Sequence, residues 1–158
     1  MTTRDFAAEV RDIAARYPDS RSAVLPALRI AQERHDGWLP PEAFAEVADA
    51  LELTPAYCQA VASFYDMYNL APTGKHSIEV CTNLSCALAK AQDVVEAFES
   101  ELGVRAGETT EDGEITFRVV ECLGGCGYAP VVTVDHRYRH NVAPGDAAGI
   151  VEELRAGS

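Results

Sequence analysis

Two close cysteine pairs constrain this chain more than any other feature. Cys81 and Cys86 form a C-x4-C pair and Cys122 and Cys126 a C-x3-C pair, while Cys58 stands alone. An odd count argues against a disulfide framework, because a reducing compartment keeps thiols free. The opening Met1-Thr-Thr-Arg-Asp-Phe6 lacks the basic-then-apolar order of an export signal, which points the same way, to a cytoplasmic protein. Four thiols in two pairs ask for a metal.

The pairs can meet only if the chain between them folds back. His76 to Val80 reads as a strand ending at Cys81. Leu84, Leu88, Ala91, Val95, Phe98 and Leu102 then recur at helical spacing and predict one long amphipathic helix, closed by Gly103. Residues 104–113 are polar and read as loop, and Ile115, Phe117 and Val119 alternate as in a strand that leads to Cys122. Val131–Val134 and Tyr138–Val142 flank Asp135-His-Arg137 like a hairpin, and Pro144-Gly-Asp146 opens a last helix bearing Ala147, Ile150, Val151 and Leu154. The order β-α-β-β-β-α over residues 75–158 is the connectivity of a thioredoxin-like core. In its parallel βαβ unit both strands finish at one edge of the sheet, so the two cysteine pairs converge there.

Residues 1–70 read instead as a helical bundle. Phe6, Val10, Ile13 and Tyr17 share one helical face, and Val24, Leu28 and Ala31 another after Ser22. Pro41 suits the first turn of a third helix with Phe44, Val47, Ala48 and Leu51 inward, and Thr54-Pro55 caps a fourth, short helix running through Val61. Leu70-Ala-Pro-Thr-Gly74 reads as the linker. The fold class is therefore α/β, a helical bundle followed by a thioredoxin-like domain.

Structural zinc favours C-x2-C knuckles, and neither pair has that form. Wider pairs suit a 2Fe–2S cluster, in which each iron takes two thiolates. Gly124, Gly125 and Gly127 clear side chains from the second loop, so that backbone N–H groups can approach the sulfur atoms. Two rivals remain: a zinc-stapled interaction module, and dithiol redox chemistry of the kind that C-x-x-C performs at a helix start.

Around these pairs the chain resembles the small 2Fe–2S subunit of the NADH-dehydrogenase module of respiratory complex I, with related subunits in NAD-linked hydrogenases and formate dehydrogenases. The resemblance runs from about Tyr17 to about Val142. It rests on Tyr17-Pro, Arg21-Ser-Ala-Val-Leu-Pro-Ala-Leu28, Gln32-Glu33, Gly37-Trp-Leu39, Ser63-Phe-Tyr65 and Pro72-Thr-Gly74. Its most specific parts are Val80-Cys-Thr-Asn-Leu-Ser-Cys86 and Glu121-Cys-Leu-Gly-Gly-Cys-Gly-Tyr-Ala-Pro130. It implies a thioredoxin-like ferredoxin domain whose cluster is held by Cys81, Cys86, Cys122 and Cys126. It also implies an electron-transfer subunit of an NADH:quinone oxidoreductase, or the equivalent subunit of an NAD-linked formate dehydrogenase or hydrogenase, with residues 1–70 docking on a larger flavoprotein that carries FMN and NADH. No complete active site is expected on this chain. Ala89-Lys90 depart from the family, which often has Gly in that turn, and are expected to alter helix packing but not ligation. Thr73 replaces a more usual Val and is expected to matter little.

The remaining readings are plainer. Thirteen Lys and Arg against 25 Asp and Glu leave a net charge of −12, which disfavours nucleic acid and anionic lipid as partners. No stretch is long and apolar enough for a membrane span, so membrane association is expected only through a larger complex. A homodimer of the isolated chain is compatible with all of this. Cys58 reads as a small buried apolar residue, and His35, His76, His136 and His140 as edge or solvated positions. Trp38 reads as core, Phe64-Tyr-Asp-Met-Tyr68 as packing between the two units, and Glu111-Asp112 as a solvated turn. No Gly-rich nucleotide fingerprint is present.

Overall fold

Local start and stop signals account for most element boundaries in the computed structural model, which describes residues 5–157. The outermost ends of both expected units, residues 1–4 and 158, lie outside the described residues, as does most of the opening segment read for an export signal. The chain divides into two compact units, residues 1–72 and 73–158.

Among the described residues the first unit holds four α-helices: α1 (Phe6–Ala14), α2 (Val24–Arg34), α3 (Pro41–Leu51) and α4 (Pro55–Phe64). Pro41 and Pro55 occupy first-turn positions, and the Thr54 hydroxyl accepts the Tyr57 N–H at 3.3 Å. Val10, Leu28, Leu39, Phe44, Val47 and Leu51 bury the shared core, with Cys58 fully enclosed among them. Gln32 closes the end of the unit, its amide accepting the Asn69 N–H at 2.7 Å and donating to the Met67 carbonyl at 3.1 Å. Two expectations need correction. Tyr17 lies beyond the end of α1 and is exposed, because the helix stops at Ala14. Trp38 is half-buried. Within the aromatic run only Tyr68 is core, donating its hydroxyl to the Leu25 carbonyl at 2.8 Å, whereas Phe64 is 78% exposed.

The second unit is a four-stranded sheet in the order β2-β1-β3-β4, built from β1 (His76–Cys81), β2 (Ile115–Val120), β3 (Val132–Val134) and β4 (Arg137–Arg139). Strand β1 runs parallel to β2 and antiparallel to β3, and β4 is antiparallel to β3. Ile78, Val80, Ile115, Phe117, Val132 and Val134 meet Val94, Phe98, Ile150 and Leu154 in one core. These last four belong to α6 (Ala91–Leu102) and α7 (Ala147–Ala156).

The single long helix expected after Cys81 is in fact two. A short α5 (Leu84–Leu88) ends at Ala89, Lys90 takes the left-handed conformation at φ +65°, and α6 starts afresh. Leu84 and Leu88 continued the apolar stripe in sequence but are 71% and 79% exposed. The turn needs a positive φ at residue 90, which gives a physical reason for glycine in this turn of the resembling family. The hairpin also differs from expectation. Its loop is only Asp135-His136, both at positive φ as in a type I′ turn, and β4 ends at Arg139 rather than reaching Val142.

Candidate metal centre

The parallel register sets Cys81 opposite Val120, so the chain leaves β1 and β2 at the same edge of the sheet. The two exits are tied together: the Thr82 N–H donates to the Val120 carbonyl at 3.0 Å. After β1, Asn83 caps α5 by accepting the Leu84 N–H at 2.7 Å, and the helix turns Cys86 inward. After β2, the chain passes through Gly124 at φ +76° and makes one 3-10 turn, Cys126–Tyr128. The Ala129–Pro130 peptide that follows is cis. Cys81 and Cys86 pack with Ala91 and Val131 and are almost covered, whereas Cys122 and Cys126 are exposed.

Three of the four sulfurs sense one another. Burial raises the Cys81 thiol, but the backbone N–H groups of Leu123 and Asn83 and the neighbouring Cys86 thiol outweigh it, leaving Cys81 below its ordinary value. Burial chiefly raises Cys86, opposed by the Val131 backbone contact and aided by the Cys81 hydrogen bond and by repulsion from Cys81 and Cys126, leaving it above its ordinary value. The Cys122 sulfur instead accepts the Gly124 N–H at 3.4 Å within its own loop. Among the described residues, no three His, Cys, Asp or Glu side chains already stand where one metal ion would join them.

The residues nevertheless fit an iron–sulfur centre in chemical type and in placement. The donors are all thiols, on two loops that leave one sheet edge, and main-chain N–H groups of Leu123, Asn83, Val131 and Gly124 lie against three of the sulfurs. Such donors stabilise negative charge on ligand sulfur. The loop glycines act differently from one another. Gly124 is required by its positive φ, whereas a Cβ on Gly125 would come within 3.0 Å of the Val131 side chain. A Cβ on Gly127 would meet nothing within 4 Å, so close approach does not explain that residue.

Sequence reasoning expected N–H donors in the glycine loop but missed those of Asn83 and Val131, and it missed Tyr138, whose hydroxyl donates to the Leu123 carbonyl at 2.7 Å. Backbone groups have no sequence signature, and Tyr138 read only as a strand residue. The other candidates resolve as structural. Cys58 is fully buried, and burial raises its thiol. His35 pairs with Glu46 at 3.1 Å, His76 with Asp135 at 2.8 Å, and His140 stacks on Tyr128 at 4.6 Å. His136 sits in the hairpin turn. Asp112 accepts from the Thr110 hydroxyl and the Glu114 N–H, which makes Glu111-Asp112 a turn.

A mixed four-stranded sheet with cysteine loops at one edge defines the class, and comparison with known families agrees: the chain belongs to the thioredoxin-like [2Fe–2S] ferredoxin family, whose model matches residues 10–155. Its relatives include proteins named as the E-type subunit of NADH-quinone oxidoreductase. One of them, from Rhizobium meliloti (strain 1021), is 40% identical over 99% of this chain and 90% of its own length. Its counterpart in Rickettsia bellii (strain RML369-C) is 39% identical over 91% of this chain and 87% of its own length. A longer relative from Mycobacterium bovis is 42% identical over 94% of this chain, which spans 58% of it. Among solved structures, a chain of an NAD+-reducing [NiFe]-hydrogenase in the air-oxidized state superposes with a TM-score of 0.73 at 22% identity. The match covers 85% of this chain and 23% of that one, a likeness of fold. No helix among the described residues is long and apolar enough to cross a membrane.

Proposed function

We propose that this chain is the electron-transfer subunit of an NADH:quinone oxidoreductase, holding one 2Fe–2S cluster on Cys81, Cys86, Cys122 and Cys126. The observation that carries the reading is the convergence of both cysteine pairs at one sheet edge, with backbone N–H groups set against their sulfurs. The names of the oxidoreductase relatives support the parent complex.

When bound, such a cluster supplies one-electron redox chemistry, which complements the two-electron hydride chemistry of a flavin. The chain's own residues do the rest. Cys81 and Cys86 hold the covered side and exclude water together with Ala91 and Val131. Cys122 and Cys126 close the exposed side. The N–H groups of Leu123, Asn83, Val131 and Gly124 set how readily negative charge is accepted.

The FMN and NADH sites belong on a partner flavoprotein, and the helical unit of residues 1–70 is its docking element. The cytoplasm is the compartment, with the membrane reached only through the larger complex.

The test is anaerobic purification of the chain, absorption spectroscopy, and low-temperature EPR after dithionite reduction. Two irons per chain and a spin-half signal support the reading. A colourless chain with stoichiometric zinc, unchanged by anaerobic reconstitution, overturns it in favour of a zinc-stapled module. Stable co-purification with an FMN protein tests the partner separately.

A further inference from the structure

We propose that Tyr138 is a positioning residue for the metal centre, acting on Cys122 through the Leu123–Gly124 peptide. The proposal rests on the cluster reading above and deepens it. The Tyr138 hydroxyl donates to the Leu123 carbonyl at 2.7 Å. That carbonyl and the Gly124 N–H belong to one planar peptide group, and the N–H donates to the Cys122 sulfur at 3.4 Å. Holding one end of a plane orients the other. Donation into the carbonyl also polarises the peptide, which makes its N–H the stronger donor.

The ring is only partly packed. Tyr138 lies on the edge strand β4, opposite Thr133, and is 53% exposed. It lies tilted beside His140, ring centroids 6.0 Å apart, and its directed side-chain contact is the hydroxyl on Leu123. A phenylalanine would keep the ring and lose only that contact. The loop it steadies needs steadying. Leu123 is held on one side by its packing and its N–H on the Cys81 sulfur, whereas Gly124 has a positive φ and no side chain and Cys122 is exposed, so the hydroxyl steadies the open side of the peptide.

Reduction adds one electron and with it negative charge on the ligand sulfurs. Donation to Cys122 therefore stabilises the reduced form more than the oxidised form and raises the reduction potential. Weakening that donation lowers it.

The experiment is an EPR-monitored redox titration of the reconstituted full chain, with iron content and thermal stability measured alongside. Tyr138→Phe should keep two irons per chain and the wild-type melting temperature while its potential shifts to more negative values. Site-specific replacement of Tyr138 by a fluorinated tyrosine, a stronger donor, should shift it to more positive values at a pH where the phenol stays protonated. Full loading with an unmoved potential in both variants overturns the proposal. If Tyr138→Phe fails to load, the fluorinated variant decides, and an unmoved potential there overturns it. If the wild-type chain takes up no iron, the cluster reading fails instead. The 15N resonance of the Gly124 amide in the metal-free chain then tests the peptide contact, and a resonance that Tyr138→Phe leaves unmoved overturns the proposal.

Discussion

Cys81 donates its backbone N–H to the carbonyl of Val131 at 3.0 Å, tying the last residue of β1 to the residue just before β3. Val131 reaches further than that bond. Its own backbone faces the Cys86 sulfur, and its methyl groups lie against Gly125. One apolar residue thus touches both cysteine loops.

Overfilling that contact should loosen the site without removing a ligand. A Cβ at Gly125 would sit 3.0 Å from one Val131 methyl and 3.3 Å from the other, and valine adds two more carbons. Gly125→Val should cost about 1–3 kcal/mol of stability by chemical denaturation. It should also lower the iron retained per chain, with Gly125→Ala milder on both counts.

Lys90 invites the opposite change. An L-residue at φ +65° carries a penalty of roughly 1–2 kcal/mol, partly offset on replacement by the greater unfolded-state freedom of glycine. Lys90→Gly should stabilise the chain by about 0.5–1 kcal/mol, read as a raised denaturation midpoint with an unchanged cluster spectrum.

The cysteines separate cleanly in an alanine series. Cys81→Ala or Cys126→Ala should abolish the normal absorption and EPR spectra. Cys58→Ala should leave them intact and destabilise the helical unit, where Cys58 is wholly enclosed. Loss of the cluster in Cys58→Ala with the fold preserved, seen by circular dichroism, would overturn the ligand assignment.

The helical unit should weaken in alkali. Burial raises both the Cys58 thiol and the Tyr68 phenol, the latter opposed by Arg29, so each prefers its neutral form in the folded state. A raised folded value contributes stability that is whole below the unfolded value and is lost as pH climbs through the folded one. The decline should therefore begin above the ordinary thiol value of about 8.5 and deepen above about 10. Urea midpoints of the wild type and the Cys58→Ala, Tyr68→Phe double variant, measured from about pH 7 to about pH 11, should diverge in slope. Parallel curves would sink the idea.

What could be read from the sequence was local or periodic. Pro41, Thr54 and Gly103 announce helix ends through their own backbone and capping chemistry, and all three stand where that chemistry predicts. Phe44, Val47 and Leu51 mark a buried face because helical spacing leaves them no other side. The break at Ala89-Lys90 was hidden by the same logic. Leu84 and Leu88 fall on the stripe of α6 by count, although the chain turns between them and it. The juxtaposition of the cysteine loops followed from β-α-β connectivity. The groups that face the sulfurs did not, because a peptide N–H is the same at every residue and only the fold decides which ones point inward.

The unequal covering of the four thiols gives the site a front and a back. Cys81 and Cys86, 4% and 2% exposed, form a rear wall that the folded sheet already supports, whereas Cys122 and Cys126 lie on an outer flap. Any donor delivering iron and sulfide to the folded chain must approach over that flap. The flap is also where an oxidant arriving from solvent would first find the centre.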